Sequence, residues 1–416
     1  MFPPKTFLAG LMRKIFMVAL FVPAVSMAQQ PAGITFGGFV KMDGAFDSRQ
    51  TVNAREGHLL LWPAQKSMGT PVNGAASEDL NANPNLLFAM FQTRLFGKIA
   101  APDVKGAKVS GYLEGDFFGA TNDAVSHYVL RHAWVKLEKP KTELLFGQTW
   151  SPLFGTVFPG TVNFNTGAPM QPFARMPQIA GTLKPNAKVR LTATLMQQRD
   201  VFETVGMGRK AQQRAALPAI VGSASMKSGK VLVGADVAYK TLQPNPMSDK
   251  ISTVAGDVYL KADGANATLM AKVATGGDMS DHLSVGGWVQ LTENNKVSYE
   301  ALHTTTAWVD VQTKKPTALG LFAGFLTNGG AASDLSTGAT KSYTNSRGSN
   351  ITSVWRVSPR VVHNAGKFRV AFELEVTGAE FGSAREANGA PKVDAAVAND
   401  GSVVNVRGLL GTYLFF

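Results

Sequence analysis

Hydrophobic and polar residues alternate along most of the chain, in windows of about ten residues that are separated by turn-forming residues. Near the C-terminal end, Val404, Val406 and Leu410 share one parity, whereas Asn405 and Arg407 share the other. Successive side chains of a β-strand point to opposite faces, so this alternation predicts strands with one apolar and one polar face. After residue 33, no window has the apolar spacing of an amphipathic helix.

Sixteen such windows are present, and the connections between them alternate in length. Seven connections are tight and contain Gly, Pro or Asn, whereas most of the other eight are longer. This pattern predicts an all-β fold, a sixteen-stranded antiparallel up-and-down transmembrane β-barrel with short periplasmic turns and long extracellular loops. Barrel closure satisfies the backbone hydrogen bonds inside hydrocarbon. The predicted strands span 34–47, 86–100, 107–119, 127–139, 142–150, 175–184, 187–198, 216–226, 230–241, 251–262, 267–275, 304–312, 317–327, 351–363, 367–378 and 403–416.

Two segments carry further expectations about the strands. Within 86–100 the odd positions, including Ala89 and Leu95, are predicted to share the apolar face. The long connection 276–303 leaves an extra hairpin open, because 285–291 and 296–301 also alternate. The predicted count is therefore sixteen strands, with one hairpin more or fewer as the alternative.

The N-terminal residues have the features of an export signal. Arg13 and Lys14 precede the apolar run 15–25, and Ala28 is the expected last residue of the signal. The apolar run is too short for a membrane-spanning helix, which takes about twenty residues. We therefore expect export and an outer-membrane location. The predicted divisions are a signal peptide at 1–28, a short periplasmic link at 29–33 and the β-barrel at 34–416.

The composition fits a barrel and excludes several other classes of protein. Of 416 residues, 17% are charged and 45% are hydrophobic, as expected when each strand has one side in lipid and the other in water. The absence of cysteine excludes a disulfide-stapled domain and a thiolate metal site. The net charge is +12, but the cations are dispersed over strand positions, so nucleic-acid binding is not expected.

The positions opposite the apolar faces predict the contents of the lumen, where cations outnumber acids by eleven to seven. Arg356 and Arg360 share one strand face, and Arg369 and Arg407 extend them into a predicted arginine ladder. Guanidinium groups match carboxylate geometry, so this ladder would attract small anions. In the alternative interpretation, the arginines pair with lumen acids and hold the wall together. The predicted lumen acids are Asp43, Glu114, Asp116, Asp236, Asp257, Glu373 and Glu375.

The stretch 151–174 contains four Phe and no charged residue, a composition that is unusual for a loop in water. We expect this third long loop to fold inward and narrow the pore, with Arg175 near the constriction. A contact between subunits is the alternative role. The residues predicted to line the pore and bind anions are Arg94, Lys98, Arg131, Arg175, Arg190, Arg356, Arg360, Arg369 and Arg407.

Four short motifs, 36–43, 130–133, 147–151 and 355–361, resemble those of the DcaP-like trimeric porins of Gram-negative outer membranes. The resemblance implies a sixteen-stranded barrel assembled as a homotrimer. It also implies a positively charged eyelet, with Arg131 and the loop after residue 151 carried over, that admits small anionic solutes such as dicarboxylates. The helical extension of some members has no counterpart in 29–33.

The predicted function is that of an outer-membrane porin, a passive diffusion channel that prefers carboxylates or dicarboxylates. The alternative is a plugged structural or adhesion barrel that acts through its extracellular loops. An enzyme is not expected, because the six histidines are scattered one to a segment. No cofactor and no metal ion are predicted. The expected partners are outer-membrane lipid, small anionic solutes and two further copies of the chain.

Overall fold

The computed structural model of the protein describes residues 33–69, 77–199 and 209–416. Within these ranges, sixteen strands form the wall of a closed antiparallel barrel. The predicted signal peptide at 1–28 and residues 29–32 of the predicted link lie outside the described residues. In chain order, the wall strands are β1 (Gly33–Asp47), β2 in two segments (Asn85–Ala89 and Arg94–Val104), β3 (Ala107–Asp116), β4 (Val129–Glu138), β5 (Thr142–Trp150), β6 (Arg175–Leu183), β7 (Val189–Met196), β8 (Ala219–Ser228), β9 (Val231–Leu242), β10 (Ile251–Asp263), β11 (Ala267–Gly277), β12 (Lys296–Thr313), β13 (Thr317–Ala331), β14 (Ile351–Ala365), β15 (Phe368–Phe381) and β16 (Gly401–Phe415).

The barrel closes between its first and last strands. The pairing of β1 with β16 runs from Phe39 opposite Phe415 to Asp47 opposite Arg407. The other edge of β1 pairs with both segments of β2. The remaining wall strands pair antiparallel with their neighbours in sequence. The up-and-down fold predicted from sequence is therefore confirmed. In the tight turn after β8, Gly229 has φ +56°, a conformation that glycine adopts without steric cost.

The segment between β11 and β12 forms the extra hairpin that the sequence left open. Strand Gly286–Glu293 pairs with residues 296–302, which are the first part of β12. Because β11 pairs only with residues 303–313, this hairpin extends beyond the wall at the loop end of the barrel. It lengthens β12 without adding a wall strand, and the predicted strand 304–312 is too short.

The remaining elements belong to the long loops. A six-residue helix, Lys210–Ala215, precedes β8, and short 3₁₀ helices form at Asn122–Ala124 and Ser280–His282. Of the described residues, none belongs to a helix that is long and apolar enough to cross a membrane. The short loop strands are Thr51–Ala54 with Leu59–Pro63, Met68–Gly69 with Glu78–Asp79, Ala384–Arg385 with Pro391–Lys392, and Thr340–Ser342 and Ser346–Arg347 against Gly286–Glu293.

The outer surface of the barrel is apolar. On β16, Val404, Leu410 and Leu414 are exposed, whereas Asn405 and Arg407 on the opposite face are buried in the interior. The same alternation follows the other wall strands. Such a surface is stable against lipid, where the closed sheet leaves no unpaired edge.

The predicted orientation of the first part of β2 is wrong. Phe88 is exposed on the outer surface, whereas Ala89 is buried in the interior. A turn at 90–93 interrupts the strand, so that Leu95 faces outward although it has the parity of Ala89. The turn reverses the phase of the alternation, and the sequence on either side does not reveal the reversal.

Much of the loop-side half of the lumen is filled by loops. Loop 1 (48–84, described except for 70–76), loop 3 (151–174) and loop 6 (278–295) meet inside the barrel, and loop 3 lies in the inward position expected from its composition. Their apolar side chains form a core against the wall strands, because the rings avoid water. This core contains Leu59, Trp62, Phe154, Phe164, Met170, Phe173, Leu283, Val285, Trp308 and Phe322.

Candidate functional site

Three of the four arginines of the predicted ladder, Arg356, Arg360 and Arg407, are buried and bound to groups of the protein itself. Arg360 donates to both carboxylate oxygens of Asp310, at 2.7 and 2.9 Å. Arg407 donates to both oxygens of Asp47, at 2.9 and 2.6 Å, and is 1% exposed. Bidentate pairs of this kind fix the geometry of the guanidinium. These two arginines therefore have the wall-holding role that the sequence left as the alternative.

Arg356 joins two inward loops to the wall. Its guanidinium donates to the carbonyl oxygens of Ala168 in loop 3, at 2.6 Å, and of Leu61 in loop 1, at 2.8 Å. Its Nε lies 3.3 Å from Glu375. The neighbouring Glu373 accepts a hydrogen bond from the backbone of Asn163 at 2.9 Å, so that β14 and β15 together hold loop 3.

Two carboxylates of these pairs, Asp47 and Asp310, are missing from the predicted lumen acids. Asp310 shares its parity with the inward Trp308, so the alternation of β12 was a sufficient signal for it. Asp47 is the last residue of β1 and has the parity of the predicted lumen acid Asp43, so the alternation of β1 was a sufficient signal for it as well. With both acids included, the predicted excess of cations in the lumen falls from four to two.

Two lysines hold the opposite side of the loop assembly. Lys272 donates to the carbonyl oxygens of Leu153 and Phe154, at 2.6 and 3.0 Å, and forms a 3.1 Å ion pair with Asp257. Lys240 donates to Asp281 in loop 6 at 3.0 Å. Loop 3 is therefore anchored on β11 as well as on β14 and β15, and loop 6 is anchored on β9.

A second group of arginines lies beside the base of loop 3. Arg131 is 2.7 Å from Glu114 and 2.8 Å from Asp116, whereas Arg94 is 3.5 and 3.7 Å from the same carboxylates. Arg175 packs over the ring of Trp150 at 5.1 Å. Among the described residues, no carboxylate lies within ion-pair distance of Arg175, and its Nη1 has no hydrogen-bond partner. The group therefore has three guanidinium groups and two carboxylates.

The short-turn half of the lumen contains a cavity of about 810 Å³. Its roof is formed by Pro152, Gly155 and Thr156 of loop 3, and its side wall by small and polar residues of β6–β9. Arg190 lines the mouth and pairs with Glu143 at 3.2 Å. The lysines near the tight turns were not among the residues predicted to line the pore. Their signal in the sequence was their position near the ends of strands whose polar faces line the lumen. The charged residues that line the cavity are Lys141, Lys184, Lys188, Arg190, Lys227 and Asp236.

Lys98 and Arg369 lie on the far side of the lumen, on β2 and β15. Lys98 is exposed, and Arg369 is half-buried with its Nε bonded to the side chain of Asn364 at 2.7 Å. In the part of the chain that the structure describes, neither cation has a carboxylate within ion-pair distance. Arg369 therefore pairs with no lumen acid among the described residues, contrary to the wall interpretation.

One cluster has the connectivity of a nucleophile, a base and an acid. The Nδ1–H of His282 donates to Asp281 at 2.8 Å, and Nε2 lies 2.9 Å from the hydroxyl of Ser151. Ser151 is fully buried, and the cavity beside His282 has a volume of only about 20 Å³, too small for a substrate. The cluster therefore links the start of loop 3 to loop 6. Among the described residues, no three His, Asp or Glu side chains are grouped to hold a metal ion.

No family profile matches the chain, and no curated protein is significantly similar to it in sequence. It is similar in structure to the outer-membrane channel DcaP of Acinetobacter baumannii, with a TM-score of 0.69 and 18% identity over 92% of this chain and 97% of that one. The fold is that of an outer-membrane porin.

Two further porin-fold structures are similar to the chain. OmpT, an outer membrane protein of Vibrio cholerae, has a TM-score of 0.53 and 10% identity, over 94% of this chain and 99% of that one. An anion-selective porin from Comamonas acidovorans has a TM-score of 0.51 and 11% identity, over 93% and 100%. The resemblance predicted from the motifs is confirmed at the level of the porin fold, and so is the outer-membrane location.

Proposed function

We propose that the protein is a passive diffusion channel of the outer membrane that favours small anionic solutes, carboxylates or dicarboxylates. The observation that carries the proposal is the cavity of about 810 Å³ at the short-turn end, which is lined by five cations and one carboxylate. Two of the cations pair with Glu138 or Glu143, which leaves a local excess of positive charge. A confined aqueous space with low-dielectric walls strengthens the attraction of such charges for anions.

The predicted site residues contribute to this function in different ways. Arg175, Lys98 and Arg369 attract anions, because they have no internal carboxylate partner within the described residues. Arg94 and Arg190 contribute less, since acids partly neutralise them. Arg131, Arg356, Arg360 and Arg407 keep the loops and the wall in place.

The proposal is tested by single-channel recording in a planar bilayer under a gradient of potassium chloride. We expect stepwise conductance and a reversal potential on the anion side. A reversal potential on the cation side would contradict anion preference but leave the channel intact.

A plugged barrel is the second candidate, and the apolar core of loops inside the lumen favours it. The two functions differ in conductance. Absence of current from protein that migrates as a folded barrel before heating and as an unfolded chain after heating would support the plugged barrel.

A homotrimeric assembly is also proposed, on the resemblance of the four sequence motifs to trimeric porins. The expected result is an oligomer of three copies by native mass spectrometry of the protein extracted in mild detergent. Current that closes in three equal steps would agree with this assembly, and a monomeric mass would contradict it.

A further inference from the structure

Six aromatic side chains line one side of the lumen in its short-turn half. They lie on five adjoining strands, β16, β1, β2, β3 and β4, and each has the parity of the inward-facing polar residues on its strand. All six are half-buried, so each ring retains an accessible surface. The members of this aromatic wall are Tyr413, Phe415, Phe39, Phe96, Tyr112 and Trp134.

The rings contact one another in two groups, one on β2, β3 and β4 and the other on β16 and β1. The ring of Tyr112 stacks between Phe96 and Trp134, with centroids 5.8 and 5.7 Å away. Across the closure of the barrel, Phe39 lies 5.7 Å from Phe415 and 5.9 Å from Tyr413. These distances are those of favourable aromatic pairs. The rings therefore form two packed groups, and each half-buried ring leaves part of its surface accessible from the lumen.

The membrane does not account for this position. Interfacial aromatic residues of a barrel face lipid, as Phe36 and Phe416 do on the outer surface, with 77% and 55% exposure. The aromatic wall faces the aqueous side, where apolar surface is unfavourable. None of its rings belongs to the apolar core that the loops form. A role in contact with solute explains why such surface is retained in the lumen.

Cations accompany the aromatic wall. The guanidinium of Arg369 lies 5.1 Å from the ring of Phe415, and Lys98 Nζ lies 5.3 Å from Phe96. Arg94 lies 5.2 Å from Phe39. In the described ranges, Lys98 and Arg369 have no carboxylate within ion-pair distance. The aromatic wall thus combines accessible ring surface with two positive charges that have no carboxylate partner in the described residues.

We propose that the aromatic wall binds carboxylates that carry an aromatic ring. The ring of the solute packs against the accessible surface of Phe96, Tyr112 and Trp134, and its carboxylate is held by Lys98 or Arg369. This inference rests on the proposed channel function and narrows its substrate class. An aliphatic carboxylate would bind through the cations alone, and a neutral sugar would bind through the rings alone.

The test compares benzoate with cyclohexanecarboxylate, which has the same charge and a ring of the same size but no π face. Both are added to the short-turn side of channels in a planar bilayer, and the concentration that halves the current is measured. We expect benzoate to act at a concentration about threefold to tenfold lower, the range of one to two aromatic contacts. Equal concentrations for the two solutes would overturn the inference.

Two variants locate the effect. In F96L/W134L we expect the preference for benzoate to disappear, while the control F36L/F88L, which changes two rings on the outer surface, retains it. In K98Q/R369Q both solutes should need higher concentrations, with their ratio unchanged. A benzoate preference that survives in folded F96L/W134L would overturn the assignment to this wall.

Binding can also be followed without current. Saturation-transfer NMR of benzoate with the folded protein in detergent should show transfer that is lost in F96L/W134L. If the wild-type protein shows transfer that F96L/W134L loses, but carries no current, the result would support the aromatic wall and contradict the channel. Current without transfer and without a benzoate preference would contradict the wall and leave the channel function standing.

Discussion

Arg360 and Lys98 both point into the lumen, but their surroundings differ. Arg360 is 3% exposed and bound at both ends of its guanidinium to Asp310, whereas Lys98 is exposed and has no carboxylate within ion-pair distance in the described chain. A buried pair offers little field to a passing solute, because its charges cancel locally. The alternation along a strand predicts whether a side chain points into the lumen. Whether its charge can act on a solute depends on whether a carboxylate lies beside it.

The largest effect is expected for Arg356→Met, in the bound group. The change leaves Glu375 without its cation and frees the carbonyl oxygens that hold loops 1 and 3. Removal of one partner of a buried pair costs about 3–5 kcal/mol in free energy of unfolding. Urea unfolding followed by tryptophan fluorescence measures this difference. The control Arg369→Met removes a half-buried cation without a carboxylate partner, and equal losses for the two variants would contradict the distinction.

The strands could be predicted because the alternation is repeated along every wall segment. The predicted number of strands is correct although the orientation of the first segment of β2 is wrong. The phase of the first segment of β2 could not be predicted, because the turn at 90–93 has no distinctive composition. The alternation of β12 was sufficient to predict that Asp310 points into the lumen. It could not predict the ion pair with Arg360, because the two residues lie 50 positions apart in the chain. Such pairs depend on strand register, which period-two patterns leave undetermined.

The contacts between the loops and the wall could not be predicted from the sequence. Lys240 pairs with Asp278 and Asp281, and Arg356 binds backbone carbonyl oxygens of two loops. Loop conformations of this length depend on the interior that receives them, so the sequence of either partner alone carries no signal. The inward position of loop 3 was predictable, because a loop with four Phe and no charged residue is unfavourable in water.

The second prediction concerns the junction of loops 3 and 6. Burial alone would raise the pKa of Asp281, but Lys240 and His282 outweigh it and hold the pKa below its usual range. Because the pKa is lower in the folded state, the stabilisation is fully present above about pH 4 and declines as the pH falls below that value. Asp281→Asn should lose about 1–3 kcal/mol at pH 6, the cost of broken charged hydrogen bonds.

The measurement is the difference in urea unfolding free energy between wild type and Asp281→Asn from pH 3 to pH 7. The difference should be constant from pH 5 to pH 7 and shrink towards pH 3. Glu386→Gln serves as the control, since in the described part of the chain this exposed carboxylate forms an ion pair only with the exposed Lys392. A difference that grows as the pH falls would contradict the assignment.

The third prediction concerns the accessible group. K141Q/K188Q/K227Q removes three lysines that line the cavity and have no ion pair in the described residues. We expect the anion-to-cation permeability ratio to fall about twofold in low salt, where screening is weakest. K105Q/K230Q/K367Q removes the same charge at the same end of the barrel, from positions outside the cavity. Equal shifts would show that total charge, and not the cavity lining, sets selectivity.

The smallest effect is expected for Arg190→Gln. Its side chain is 48% exposed and shares Glu143 with Lys184. An exposed pair contributes about 0–1 kcal/mol, so unfolding should change little. Selectivity should also change less than in a single Lys188→Gln variant, because loss of the arginine is offset when Glu143 binds Lys184 alone. A larger shift in reversal potential for Arg190→Gln than for Lys188→Gln would mean that an ion-paired cation still acts on the solute, and the separation into bound and accessible cations would fail at the mouth of the barrel.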